Sequence, residues 1–212
     1  MSMKRISSLT SILPKAQSSK TLTEAIGTGV PTELNGMQKE RALTRLLEVG
    51  NPTQVDKSLI SSMESITKYV VKANETSRFP KDGGYISMLR GYEIRADTID
   101  DVDKCITIVA QSQVTMPYPM LRKRLAIMAT LVIKPSGEGE NDMDVRMQSL
   151  ARSLEEFPAD IVSYAITQVE RTQKFWPSFA EFYTHIQSRL QRREYLMRDL
   201  LKLRVDMTAN LQ

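Results

Sequence analysis

The stretch "RTQKFWPSFAEFYTHI", residues 171–186, largely determines how the architecture of this chain is interpreted, because it joins two amphipathic helices at a corner. Pro177 disfavours α-helical backbone at Trp176, so the first helix is expected to end before this pair. Ser178 precedes Glu181 by three residues, the spacing of a capping box, which predicts that the last helix begins there. The stretch also holds the chain's single tryptophan and single histidine. It is therefore a candidate for base stacking or partner contact as well as for a core.

Helical spacing assigns most of these rings to a seam between two helices. From the corner onward, apolar residues recur at intervals of three and four and occupy one helical face: Phe179, Phe182, Tyr183, Ile186 and Leu190. The preceding helix carries a matching apolar face: Ile161, Val162, Ala165, Ile166 and Val169. Packing these faces together leaves Phe175 and Trp176 in the connection, where we expect Trp176 to be partly exposed.

The rest of the chain predicts an all-α protein with seven helices in a small bundle. Residues 1–36 are rich in Ser, Thr and Gly and show no sustained period, so we expect a disordered leader. Residues 37–97 form a predicted N-terminal helical region, in which one helix spans 53–73 and an irregular linker spans 74–97. That linker has short segments that fit either turns or a small β-hairpin. Residues 98–212 form the predicted C-terminal helical domain, which ends in a long basic helix.

Composition bounds the environment and the class of partner. The chain has 212 residues, with 29 basic and 25 acidic side chains, and its net charge of +4 suits an acidic protein or a nucleic acid without requiring either. Its single cysteine, Cys105, cannot form an intramolecular disulfide and fits a reducing compartment. No apolar run approaches the roughly 18 residues that a membrane helix needs. We expect a cytoplasmic protein that makes no membrane contact.

Catalytic and metal-binding chemistry have little support in the residue types. With His185 as the single histidine, neither a multi-histidine metal site nor a Ser-His-Asp triad with a spare base can be assembled. Cys105 lies on an apolar helical stripe and is expected to be a core thiol. An acidic cluster opens a helix, where the helix dipole explains it better than a hard cation does: Asp97, Asp100, Asp101 and Asp103. We predict no catalytic residue, no metal and no cofactor.

Basic residues supply the candidate contacts with a partner. The segment "LRKRL" opens a helix with three consecutive cations, and the last helix carries further cations in pairs one turn apart. Such pairs can bind phosphate or acidic protein surface, or can remain a solvated helix face. The candidate partner-binding or nucleic-acid-binding residues are Arg189, Arg192, Arg193, Arg198, Lys202, Trp176, Arg122 and Lys123.

Residues 120–190 resemble the helical domain of bacteriophage helicase loader and inhibitor proteins and of related phage replication proteins. The resemblance is carried by an apolar helix, a Phe-Pro-x-Asp-x-Val helix start, a Lys-Phe pair and a Pro-Ser-x-x-Glu helix start. In this sequence these are Leu125 to Leu131, Phe157 to Val162, Lys174-Phe175, and Pro177-Ser178 with Glu181.

The resemblance implies a non-enzymatic DNA-replication accessory protein that binds the replicative helicase and either loads or restrains it. It would act in the host cytoplasm if a phage encodes it. The helical domain would be the scaffold, and the basic last helix would meet acidic helicase surface or DNA phosphate. Two alternatives remain open. One is a DNA- or RNA-binding regulator, and the other is an oligomeric structural or host-interaction protein whose 12 methionines supply adaptable interfaces.

Overall fold

A computed structural model of the chain describes residues 33–78, 85–133 and 140–210. These residues form seven α-helices and one two-stranded antiparallel sheet within a single compact unit. The predicted helical class is therefore confirmed. The predicted disordered leader, residues 1–36, lies almost entirely outside the described residues. No helix among the described residues is both long enough and apolar enough to cross a membrane.

The elements follow one another along the chain with short connections. In order they are α1 (Gly36–Val49), α2 (Pro52–Glu64), β1 (Tyr69–Arg78), β2 (Tyr85–Arg95), α3 (Ile99–Ser112), α4 (Tyr118–Leu131), α5 (Glu140–Leu154), α6 (Ala159–Thr172) and α7 (Phe179–Ala209).

Local capping explains where several of these helices begin and end. Asn35 caps α1 through a capping box with Gln38, and Gly50 closes the helix in the left-handed conformation at φ 58°. Thr98 caps α3 by accepting a hydrogen bond from the Asp101 amide. These polar contacts satisfy backbone groups that have no partner inside their own helix.

The helix predicted over 53–73 is wrong in its second half. α2 ends at Glu64, and both the amide and the hydroxyl of Thr67 donate to the Met63 carbonyl, each at 2.8 Å. β1 follows and pairs antiparallel with β2, with Val70 opposite Ile94. Consecutive β-branched and aromatic residues favour the extended chain here over a continued helix. The predicted linker at 74–97 is therefore largely a β-hairpin, the option that the sequence left open.

The hairpin is attached to α7 through its main chain. The Asp199 carboxylate accepts a hydrogen bond from the Tyr92 amide at 2.7 Å, and Arg198 donates to the Arg90 carbonyl at 2.9 Å. Gly91 lies between these two contacts, opposite Ala73 at the point where the strand register shifts. A β-carbon at position 91 would come within 2.5 Å of the Asp199 carboxylate oxygen. A side chain at position 91 would therefore displace the ends of the Asp199 and Arg198 side chains, which form these two contacts.

The core centres on α6, whose predicted apolar face is buried along its whole length. Ile161, Val162, Ala165, Ile166 and Val169 are all at most 1% exposed, as predicted. Phe182 and Ile186 of α7 pack into the same cluster, and Tyr183 and Leu190 are partly buried against it. Phe179, which was predicted on the same face, is instead 37% exposed.

The N-terminal helices belong to the same packed unit as the C-terminal ones. α1 contacts α3 and α6, and α2 contacts α3, β1 and α7. The apolar stripe of α3 that carries Cys105 is fully buried as well: Val102, Cys105, Ile106 and Val109. The two regions drawn on either side of residue 97 therefore lie within one compact unit.

Replacing Gly91 with alanine tests the attachment of the hairpin. The added methyl group collides with the Asp199 carboxylate, so we expect the free energy of unfolding to fall by about 1–3 kcal/mol in urea titrations. Gly36→Ala is the matched control, because nothing lies within 4 Å of a β-carbon at that position. The control should be neutral or up to about 1 kcal/mol stabilising. Equal stability of Gly91→Ala and the unmodified chain would contradict the described attachment.

Candidate partner-binding surface

Arg193, a predicted partner-binding residue, lies in the middle of the molecule with its side chain 0% exposed. Its guanidinium forms a two-pronged ion pair with Asp160 of α6, at 2.9 and 2.5 Å. It also donates to the Ser112 carbonyl at the end of α3 at 2.6 Å, and to the Asp56 carboxylate of α2 at 3.0 Å. One side chain of α7 thus joins three other helices.

Charge balance distinguishes the two carboxylates that share Arg193. Asp160 receives two hydrogen bonds from the guanidinium, whereas one oxygen of Asp56 is buried without a hydrogen-bond partner. Burial raises the pKa of Asp56 above its ordinary value, and the nearby Arg193 offsets only part of this effect. Two opposing effects act on the pKa of Arg193. Burial lowers this pKa, whereas the hydrogen bonds and charges of Asp160 and Asp56 raise it, and the net result is a pKa above the ordinary value.

The predicted role of Arg193 in an exposed basic stripe is therefore wrong. A side chain that is fully buried and held by four hydrogen bonds cannot reach a partner's phosphate or carboxylate without unfolding of the surrounding helices. The stripe prediction placed Arg193 one turn after Arg189 on a solvated face. In the structure, the face of α7 that carries Arg193 packs against the core, and Arg193 has a structural role.

Two more of the predicted contacts on α7 are also occupied within the molecule. Arg198 donates to the Arg90 carbonyl and to the adjacent Asp199, and its guanidinium lies over the Tyr195 ring at 4.6 Å. Arg189 lies over the Tyr164 ring at 4.1 Å and donates to the His185 carbonyl within its own helix. Both side chains are partly accessible to solvent, but the contacts they make are with other residues of this protein.

Arg192 and Lys202 are exposed on α7 and stay predictions as contact residues. They do not form a basic stripe. Residues four apart on a helix lie about 40° apart around the axis, so Lys202 shares a stripe with Glu194, Arg198 and Asp206. Along that stripe Glu194 and Asp206 are negative, and Arg198 and Lys202 are positive. The long helix is basic in composition, yet this exposed row is balanced in charge.

The two predicted contact residues near the start of α4 lie in different environments. Arg122 pairs with Asp144 of α5, and Lys123 is exposed.

Trp176 is partly buried and packs against the core cluster, as expected of a corner residue. Neighbouring Phe175 is 61% exposed, with the Lys174 ammonium 6.0 Å from its ring centroid. The corner therefore presents Phe175 rather than Trp176 to solvent.

An apolar surface that the sequence reasoning missed runs along the outer side of α4 to this corner. Its exposed apolar members are Met120 at 39%, Ile127 at 52%, Leu131 at 66%, Ile133 at 48% and Phe175 at 61%. Lys123 is exposed on the same side of the helix. We refer to these six residues as the α4 surface.

The backbone places the two segments that build the α4 surface side by side at Ile133 and Phe175. Ile127 and Leu131 are one helical turn apart, and Ile133 follows two residues later. Ile133 then pairs with Phe175, because its amide donates to the Lys174 carbonyl at 2.8 Å and its carbonyl accepts from the Trp176 amide at 3.2 Å. The opposite side of α4 is buried in the core through Leu121, Leu125 and Met128.

A cue to this surface existed in the sequence. The run "MLRKRLAIMATLVI" has apolar residues on every side of the helix, whereas a helix with one buried face alternates apolar and polar sides. Such a helix must either be buried all round or leave apolar side chains in contact with water. The single helix sequence does not distinguish these two outcomes, because the packing of its neighbours decides between them.

The residues considered for metal binding or nucleophilic chemistry have structural roles here. Asp97 pairs with Lys68 at 2.5 Å, Asp103 pairs with Arg204 at 2.6 Å, and Asp101 belongs to the cap of α3. Cys105 is fully buried on α3, and burial raises the pKa of its thiol to about 11. A thiol in this environment is a poor nucleophile at neutral pH.

Comparison with known proteins gave no match to a family model, to a curated protein or to a solved structure. The resemblance to phage helicase loader and inhibitor proteins therefore stays a prediction from the motifs of residues 120–190. The functional argument depends on those motifs and on the surface just described.

Replacing Arg193 with methionine tests the buried ion pair. The substitution leaves the Asp160 carboxylate buried without its cation, so we expect the free energy of unfolding to fall by about 3–5 kcal/mol. Arg192→Met, at the exposed neighbouring position, should change it by no more than about 0.5 kcal/mol. Adding Asp160→Leu to Arg193→Met should recover part of the loss, since the orphaned charge is removed. Similar unfolding midpoints for Arg193→Met and Arg192→Met would exclude the described network.

The pH dependence of stability tests the environment of Asp56. Because its pKa in the folded protein is raised above the ordinary 3.8, the folded chain retains the Asp56 proton after the unfolded chain has lost it. Stability relative to Asp56→Asn should therefore fall as pH rises above about 4, and level off once Asp56 is ionised in both states.

Asp101→Asn is a control with the opposite sign. Hydrogen bonds from Thr98 and Lys104 lower the pKa of Asp101, so stability relative to that variant should rise with pH. Urea titrations between about pH 3 and pH 7 measure both trends. A rise with pH for Asp56 as well would show that Arg193 outweighs burial.

Proposed function

We propose that this protein is a non-enzymatic accessory factor of DNA replication that binds a replicative helicase and controls its delivery to DNA. The proposal takes the class of partner from the resemblance of residues 120–190 to phage helicase loader and inhibitor domains. It takes the contact site from the α4 surface, which lies within those same residues. In a phage-infected cell the site of action would be the host cytoplasm.

The observation that carries the proposal is the exposure of several apolar side chains along α4 and at the corner. Three aliphatic side chains and one phenylalanine there are each roughly half exposed or more: Ile127, Leu131, Ile133 and Phe175. Covering apolar area stabilises a complex by about 25 cal/mol per Å² before the costs of association are subtracted. Exposed apolar surface that is contiguous and bordered by polar residues is typical of a protein-binding site.

The location of this surface changes the contact expected from the resemblance. The sequence assigned the helicase contact to the basic last helix. Burial of Arg193 and the attachment of the hairpin by Arg198 leave α7 chiefly a scaffold element. The α4 surface therefore replaces the basic helix as the main proposed contact, and Arg192 and Lys202 are secondary candidates.

The apolar character of the surface favours a protein partner over nucleic acid. Nucleic-acid binding without base readout combines several phosphate-contacting cations with aromatic rings on which bases stack. The α4 surface and its border offer two exposed lysines, Lys123 and Lys174, and one exposed ring among aliphatic side chains, while Trp176 packs against the core. These features match the apolar centre of a protein interface.

A paired substitution tests the proposal. Ile127→Gln with Leu131→Gln keeps residues that are compatible with a helix but removes apolar area at the centre of the surface. We expect the affinity for the replicative helicase of the host to fall at least about tenfold, as for loss of interface hot spots. Loading of the helicase onto single-stranded DNA, or its inhibition, should be lost in parallel. Biolayer interferometry and a helicase-loading assay measure the two effects.

Val205→Gln is the matched control, because Val205 is also an exposed apolar residue, at 48%, but lies near the end of α7. It should leave binding and loading unchanged. Thermal unfolding of each variant shows that the fold is retained. Absence of any helicase binding by the unmodified protein would exclude the proposed function, and equal binding by the paired variant would exclude the α4 surface as its site.

A further inference from the structure

The geometry points to a specific chemistry for the partner of the α4 surface: an amphipathic helical segment whose apolar face is flanked by carboxylates. The inference deepens the proposed function and relies on it for the identity of the partner protein. The shape of the α4 surface and the charges around it indicate this chemistry.

The shape of the surface fits a helix. Its members on α4 run from Met120 to Leu131, eleven positions along one helix, which corresponds to about 16 Å at 1.5 Å per residue. Ile133 and Phe175 widen the surface at its C-terminal end. A row of apolar side chains of this length matches about three turns of a partner helix that presents residues at i, i+3 or i+4, and i+7.

The charged residues within the two segments that build the surface are all basic, although Arg122 is paired with Asp144 of α5. Residues 118–133 contain Arg122, Lys123 and Arg124 and no acidic residue. Residues 171–177 contain Arg171 and Lys174 and no acidic residue. Lys123 is exposed on the α4 side, and Lys174 lies over the Phe175 ring at the corner. A partner with carboxylates beside its apolar face would be complementary, whereas a basic partner would be repelled.

The positions of these cations predict that the partner segment carries acidic residues at both ends. Lys123 lies one turn before Ile127 near the start of α4, and Lys174 is adjacent to Phe175 at the other end of the surface. Cations therefore flank the apolar residues on both sides. A partner segment with an acidic residue on each side of its apolar core satisfies both, and a segment acidic at one end satisfies one.

Reversing the two flanking charges tests the electrostatic part. Lys123→Glu with Lys174→Glu should weaken helicase binding at least about tenfold at low salt, and the difference should shrink as salt rises. The control reverses two exposed lysines elsewhere, Lys39→Glu with Lys57→Glu, and should stay within about twofold. An equal effect of the two pairs would overturn the inference, since net charge alone would then explain it.

Photo-cross-linking tests the structural part. Benzoylphenylalanine at position 127 of the full chain, incubated with purified helicase, should attach to a helical segment with apolar residues three or four apart and Asp or Glu at its flanks. Mass spectrometry of the linked peptide identifies that segment. Attachment to a segment without flanking acids, or to a second copy of this chain, would overturn the inference.

The same cross-linker separates failure of the inference from failure of the proposed function. If the purified helicase does not bind, the proposed function fails, and cross-linking in host cells then tests the surface alone. An acid-flanked amphipathic segment of another protein would support the inference, and a segment of different chemistry would overturn it. Binding to phosphatidylglycerol-containing vesicles or to a single-stranded oligonucleotide that is lost in the Ile127→Gln, Leu131→Gln variant would also overturn it.

Discussion

The buried ion pair between Arg193 and Asp160 is the interaction on which the rest of the structure depends. Both side chains are fully buried, so each would be strongly destabilising without the other. The guanidinium also binds the end of α3 and the side chain of Asp56 in α2. The angle between α6 and α7, and the position of α2 against them, are thereby fixed at one point. The long last helix is held in a single orientation, and the attachment of the hairpin through Asp199 follows from that orientation.

Much of the helical framework could be predicted from the sequence, because local chemistry determines it. The Thr98 cap, the corner at Pro177 and the apolar face of α6 are properties of residues within a few positions of one another. The hairpin could not be assigned, because its strands are stabilised by pairing with each other and by α7, more than a hundred residues away in the case of Tyr92 and Asp199. Local patterns do not contain contacts of that kind.

The burial of Arg193 was predictable in part, although the sequence reasoning assigned it to the surface. Ile186, Arg193 and Leu200 are spaced by seven, so Arg193 falls within the apolar row of α7, and all three are fully buried. Its charged type suggested a solvated stripe, whereas its position indicated the core. The α4 surface could not be located from the sequence, since a helix that is apolar all round does not reveal which side its neighbours leave open.

Because of the location of Cys105, we expect the folded chain to react slowly with thiol reagents. The thiol is fully buried on α3, and its pKa of about 11 keeps it protonated at neutral pH, whereas alkylation requires the thiolate. Unfolding of α3 removes both obstacles. The rate at which this native cysteine is alkylated therefore reports the opening of the core without any engineered probe, and a cysteine introduced on the surface can be labelled selectively beside it.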